Sequence, residues 1–217
     1  MMRRSHVVLA VIMLLVGVLS YAIVVPPRGA RTPASLRRFD ANRMADLELG
    51  MWQAYYGKER ARLFALLVTM LREQYHYSWA VATIEGFHLA RAAAAFGDLT
   101  SNYDSVLPDL EAAYATARWW LRADFEPAAV ARAELDWWVA RRIPGRNGPE
   151  HVGELIADEY GLLYEMPRNL FVTSAQLRAE AAALRDAEAT SPDWTTIGRL
   201  LQESYADLRQ ALSTASG

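Results

Sequence analysis

Nineteen consecutive uncharged positions, Val7 to Val25, precede a chain whose apolar residues recur at three- and four-residue steps almost to its end. The two patterns predict two different surroundings. As a helix the first would rise about 28 Å, close to the hydrocarbon thickness of a bilayer. Its apolar residues leave no polar face to turn toward water, which argues against a core helix. A short basic head, "MMRRSH", stands before it, and "PPRGARTP" after it reads as a linker. Ser20 and Ala22 make a small-x-small site of the kind a signal peptidase cuts, but the apolar run continues through Ile23, Val24 and Val25. The expectation is an uncleaved anchor over residues 1–27, with a signal peptide as the alternative. A Pro/Arg-rich linker over 28–38 and a single all-helical domain over 39–217 follow.

Within that domain Met44, Leu47, Met51, Tyr55, Leu63, Leu66, Leu67, Met70 and Leu71 keep helical spacing, behind Asp40 as N-cap. They predict one long helix or two meeting near Gly57. Trp79 to Phe96 forms the next, closed at Gly97 and folded back as a hairpin. Pro108, Pro127 and Pro149 sit where a helix opens, since a first-turn residue needs no N–H. Thr173 or Ser174 caps another helix, and Ser191 with Pro192 starts the last. No alternating strand, glycine-rich phosphate loop or internal repeat interrupts the pattern. The fold class is all-α, about seven helices in a compact bundle preceded by one transmembrane helix.

Composition removes several functions. The formal charge is −2, and no Lys/Arg cluster with interleaved aromatics stands out, which argues against nucleic acid as a partner. Lys58 is the one lysine among 23 basic residues. Cysteine is absent, so disulfides, thiolate metal sites and thiol nucleophiles are excluded. There is no Gly-x-Ser-x-Gly elbow, and His76, His88 and His151 lie far in sequence from a serine that could act as nucleophile. Nothing in the chain points to an enzyme. The charges flanking the apolar run are nearly balanced, Arg3 and Arg4 before it and Arg28, Arg31, Arg37 and Arg38 after it. The side of a bacterial-type inner membrane that carries the domain stays undecided, with the signal-like head tipping it toward the periplasm.

Glu85 and His88 are three residues apart on one predicted helix, so both could reach one metal ion. Glu73 and His76 repeat the step. Glu48, Glu111 and Glu134 could serve as single carboxylates, and His151 with Glu154 is a reversed pair. Over those few residues the chain resembles the ferritin-like pattern, in which two Glu-x-x-His pairs and two further glutamates hold di-iron or manganese for oxidase-type chemistry. It departs from that pattern in register. A hairpin turning near Tyr77 leaves His76 at the turn and His88 roughly 15 Å deeper. The simpler expectation is that Glu85 and His88 form a local polar pair beside Arg91, with Glu73 and His76 marking a solvated helix end.

The tryptophans come as neighbours, Trp119 with Trp120 and Trp137 with Trp138. Helical neighbours point about 100° apart, so one of each pair belongs at a seam or at the surface. There it could anchor a protein partner or meet lipid. Glu134, Trp138 and Arg141 share a stripe, which predicts a buried carboxylate paired with arginine. Together these features predict a membrane-anchored helical interaction protein, an accessory, assembly or scaffold subunit of a membrane-associated complex. It would hold the bilayer through residues 7–25, dock a protein partner and need no cofactor. The alternative is the carboxylate–histidine metal bundle.

Overall fold

Among the described residues of the computed structural model, 35–214 together with Met13, Val16, Gly17 and Ser20, there are eight α-helices and no strand. They are α1 (Ala41–Tyr56), α2 (Arg60–Tyr75), α3 (Trp79–Asp98), α4 (Leu107–Leu121), α5 (Pro127–Ala140), α6 (Pro149–Tyr164), α7 (Val172–Ala187) and α8 (Trp194–Thr214). Short 3-10 turns, Tyr103–Val106 and Arg168–Phe171, lead into α4 and α7. Apart from those four positions, the apolar run expected to span a bilayer lies outside the described residues, as do residues 28–34 of the linker. No described helix is long and apolar enough to cross a membrane.

Local chemistry explains the punctuation. The Asp40 carboxylate accepts from the Arg43 N–H at 2.9 Å, and its own N–H donates to Gln74 Oε1, so the cap of α1 is tied to the end of α2. The expected long segment breaks in two at Gly57, Lys58 and Glu59. Ser78 caps α3 from a fully buried position, and Pro108, Pro127 and Pro149 occupy first turns as expected. Three expected boundaries are corrected. Gly97 lies inside α3, which runs to Asp98. Thr173 and Ser174 lie inside α7, where the Ser174 hydroxyl donates to the Phe171 carbonyl. The first turn of α8 is held by Asp193, which accepts from the Thr195 and Thr196 N–H groups, so a side chain one residue beyond Pro192 does the capping.

Each helix packs on its predecessor and its successor, and α8 packs on α1, so the contacts close into a cycle. Small residues set the closest approaches. A Cβ on Gly153 of α6 would stand 2.7 Å from Gln176 Oε1 and 3.2 Å from Gln176 Cα on α7, and one on Gly198 of α8 would stand 3.0 Å from Leu49 of α1. Buried apolar residues fall into one large cluster and two smaller ones. Phe96, Leu110 and Leu135 form the core where α3, α4 and α5 meet; Ala54, Leu63 and Leu67 form the one between α1 and α2. Arg37, at the end of the expected linker, donates to the Tyr164 carbonyl at the end of α6.

Beside the apolar clusters, long polar and aromatic side chains join helices that are not neighbours in the cycle. Arg178 of α7 reaches Glu48 of α1, Arg141 at the C-cap of α5 reaches Tyr56 of α1 and Asp186 of α7, and Tyr114 of α4 reaches both Glu134 of α5 and Glu159 of α6. The abundance of arginine and tryptophan has a structural use here.

Candidate functional site

A cavity of about 420 Å³ opens among α1, α2, α3, α5 and α7, with the three apolar clusters meeting at its walls. Met51, Leu63, Leu67 and Leu89 supply its apolar wall, and Trp52, Tyr55, Phe96 and Trp138 its rings. Four arginines, Arg141, Arg142, Arg178 and Arg185, border it together with Glu48, Glu134 and Asp186. Asp186 is its most open acid, with its side chain 37% exposed, which puts the mouth at the C-terminal end of α7. A second cavity of about 280 Å³ shares Tyr55, Tyr56, Leu63, Arg142 and Arg185 with the first and adds Lys58 and Arg60.

At the inner end the Arg178 guanidinium donates to Glu48 Oε1 from Nε at 2.9 Å and from Nη2 at 2.6 Å, over the Trp137 ring. Glu48 Oε1 also accepts from the Trp52 indole N–H, while Oε2 has no hydrogen-bond partner among the described residues. Trp137 donates to Glu159 Oε2 at 2.6 Å, and the Tyr114 hydroxyl is shared between Glu134 Oε2 at 2.9 Å and Glu159 Oε1 at 3.3 Å. Burial, with the neighbouring Glu159 charge, pushes the Glu134 carboxyl up to about 8, against the Tyr114 hydrogen bond and the Arg178 charge. Burial likewise raises Glu159.

Nearer the mouth each guanidinium plane lies against a ring. Arg142 stacks 3.8 Å from Phe96 and Arg185 3.1 Å from Tyr56, so their orientation is set by packing. Asp186 accepts from both Arg141 and Arg185. Among the described residues that is the one hydrogen bond of Arg185, from a group with five N–H donors. Arg142 donates to the Leu99 carbonyl and, at 3.5 Å, to the Tyr55 hydroxyl, and has no carboxylate partner among them.

The residues singled out from the sequence separate. Glu48 and Glu134 line the cavity; Glu85 and His88 do not. The expected Glu85–His88 pair is corrected. A three-residue step turns the second side chain about 60° from the first, enough to give the two different neighbours. His88 Nδ1 meets Asp109 of α4 at 2.8 Å, beside Arg91 on the same carboxylate. Glu85 is 5% exposed, and its carboxyl faces the buried Tyr77 hydroxyl. Burial pushes the Glu85 carboxyl up to about 8, opposed by the Tyr77 hydroxyl. Glu73 pairs with Arg43 at 2.8 Å in the open, and His76 closes α2 in a left-handed conformation, so both mark a helix end. Glu111 and Glu154 are exposed, and His151 Nε2 is buried without a partner. Among the described residues no three His, Asp or Glu side chains are arranged to hold a metal ion.

Each tryptophan pair is split as the helical step requires. Trp119 is 68% exposed and Trp120 half-buried against Tyr77; Trp137 is 4% exposed and Trp138 half-buried against Phe96. The arginine pair expected for Glu134 is corrected: among the described residues its carboxyl accepts from the Tyr114 hydroxyl, while Asp186 and Tyr56 hold Arg141 and Glu48 holds Arg178.

The chain matches no family model, no curated protein and no solved structure. Its own chemistry is the guide to the site. Glu159, Arg178 and Arg185 were not among the residues singled out from the sequence, and two of them left a signal. Glu159 continues the apolar stripe of Val152, Ile156 and Tyr160, and Arg178 sits between Ala175, Ala179 and Ala182. A charge on an apolar stripe points to a buried polar network.

Proposed function

We propose that the helical domain is a binding domain for a small molecule, carried at the membrane by residues 7–25 and serving as the accessory subunit of a membrane-associated complex. One observation carries this: a cavity of about 420 Å³, within the range of small-molecule sites, whose apolar walls converge on a few oriented polar groups. Interiors are normally packed without voids of this size, and filling this one with leucine would have been simple. The test is to fill it. Ala93 lines the cavity from α3. In a thermal-shift screen of small organic molecules, a ligand should raise the melting temperature of the wild type and leave Ala93→Trp unchanged. Hits that stabilise both proteins equally would bind elsewhere and refute the reading.

A second reading, docking of a protein partner, is favoured by a different surface. Trp79, Ile84 and Phe87 of α3 and Trp119 of α4, on helices packed against each other, are half or more exposed. A photoreactive side chain at position 119 should crosslink in native membranes to one protein, and the same group at exposed Glu203 should not. Equal crosslinking from both positions counts against a dedicated face.

A further inference from the structure

Resting on the cavity as a ligand site, we propose that its ligand is an apolar-bodied carboxylic acid, with the carboxylate held between Arg142 and Arg185 and a ring-bearing body against Met51, Leu63, Leu67 and Leu89. The charges around the cavity do not balance. Four arginines face two carboxylates that are engaged in ion pairs, Glu48 with Arg178 and Asp186 with Arg141 and Arg185. Glu134, the remaining acid of the wall, is tied to Tyr114. The guanidinium groups with donors to spare are therefore Arg142, with a carbonyl and a phenol as partners, and Arg185, which shares Asp186 with Arg141 and whose buried Nε has no partner among the described residues.

Two competing explanations for these arginines are weaker. Arginine is favoured near helix C-termini, but among the described residues the one helix-end carbonyl that either group holds is that of Leu99, the C-cap of α3, and it takes a single N–H of Arg142. Pairing with each other's acids is not available, since Asp186 already serves two cations. A fixed ring behind each guanidinium leaves its N–H edge as the free direction, the arrangement in which arginine recognises a planar carboxylate. The apolar wall then selects the body of the ligand. A simple inorganic anion would gain nothing from it, and a neutral apolar molecule would leave the guanidinium edges without an acceptor.

The experiment uses the full chain in lipid nanodiscs, titrated calorimetrically with 2-naphthoate and with 2-naphthamide, against empty discs. The two probes differ in charge and share the ring system. Wild type should bind the naphthoate at least about tenfold more tightly, and Arg185→Gln should remove most of that preference. Arg142 also holds the Leu99 carbonyl, so Arg142→Gln is the second variant, and Arg142→Lys should restore only part of the preference because a point charge lacks the fork. Equal binding of both probes to wild type, abolished in Ala93→Trp, would overturn the anionic ligand while leaving the cavity as a site. Binding of the naphthoate unaffected by Ala93→Trp would overturn both. Naphthoate preference that survives Arg185→Gln and Arg142→Gln in folded proteins would overturn the assignment of these two arginines.

Discussion

Replacing Glu85 with glutamine should stabilise the protein, and by an amount that grows with pH. The carboxyl is 5% exposed, faces Tyr77 and is pushed up to about 8, from an ordinary value of 4.5, mainly by burial. Between those two values the unfolded chain has released the proton and the folded chain still holds it. The folded state then binds more protons, and stability falls as pH rises. Below about pH 4.5 both states are protonated and the residue costs nothing by this route; above about 8 both are ionised and the loss is complete. One pKa unit corresponds to about 1.4 kcal/mol, so the loss is under about 1 kcal/mol at pH 5 and about 3 kcal/mol at pH 7. Glutamine has nearly the same shape and no charge at any pH. Chemical denaturation of wild type and Glu85→Gln side by side, from about pH 5 to 8, should show a stability difference that widens by roughly 2 kcal/mol or more. The stability of Glu85→Gln should itself still fall with pH, with a shallower slope, because Glu134 is raised in the same direction. A difference that does not change with pH would refute the reasoning. It would mean that Glu85 is ionised in the folded protein, which requires water or a cation beside it and would reopen the metal-bundle reading.

Glu48→Gln should destabilise by about 3 kcal/mol or more in urea titrations, since it leaves the Arg178 guanidinium buried without its ion-pair partner. Trp137→Ala should cost roughly 3–5 kcal/mol through lost burial and the freed Glu159 oxygen, whereas Trp138→Ala should cost less than half as much and weaken ligand binding, which calorimetry of both variants would separate. Gly153→Ala should lower the melting temperature, because its Cβ would come 3.2 Å from Gln176 Cα and press α6 away from α7, at about 1–3 kcal/mol. Removing residues 1–27 should move the protein from the membrane pellet to the supernatant, the run from Val7 to Val25 being of bilayer length.

The helices were legible because their signals are local. Proline at first turns, Asp40 as a cap and a three-to-four spacing of Met44, Leu47 and Met51 each act within a few residues, so a linear reading recovers them. Boundaries failed where the chain had two local options of similar quality. Asp193 and Ser191 could both cap α8, and the choice falls on the carboxylate that reaches two N–H groups. The site was half legible for a related reason. The stripe of Glu134 and Trp138 and the split of each tryptophan pair could be picked out, because angular position on a single helix decides them, whereas Glu48 was singled out only as a metal carboxylate and its place in the cavity wall left no local signal.

What joins Glu48 to Arg178 is the closure of the helix cycle, across a separation of 130 residues, and no spacing rule reaches that far. The same closure explains why the Glu-x-x-His step misled. Sharing a helix face places two side chains within about 60° of each other, but neighbouring helices divide that arc, so Glu85 turns to Tyr77 while His88 turns to Asp109. A motif of two residues specifies a ligand pair only when the element opposite is known. Arg178 reaches Glu48 and Arg141 reaches Asp186 across described helices that are not neighbours in the cycle, through contacts that need exact partners. Where guanidinium groups outnumber carboxylates, as at Arg142 and Arg185, donors are left over, and the proposed ligand carboxylate would supply the acceptor.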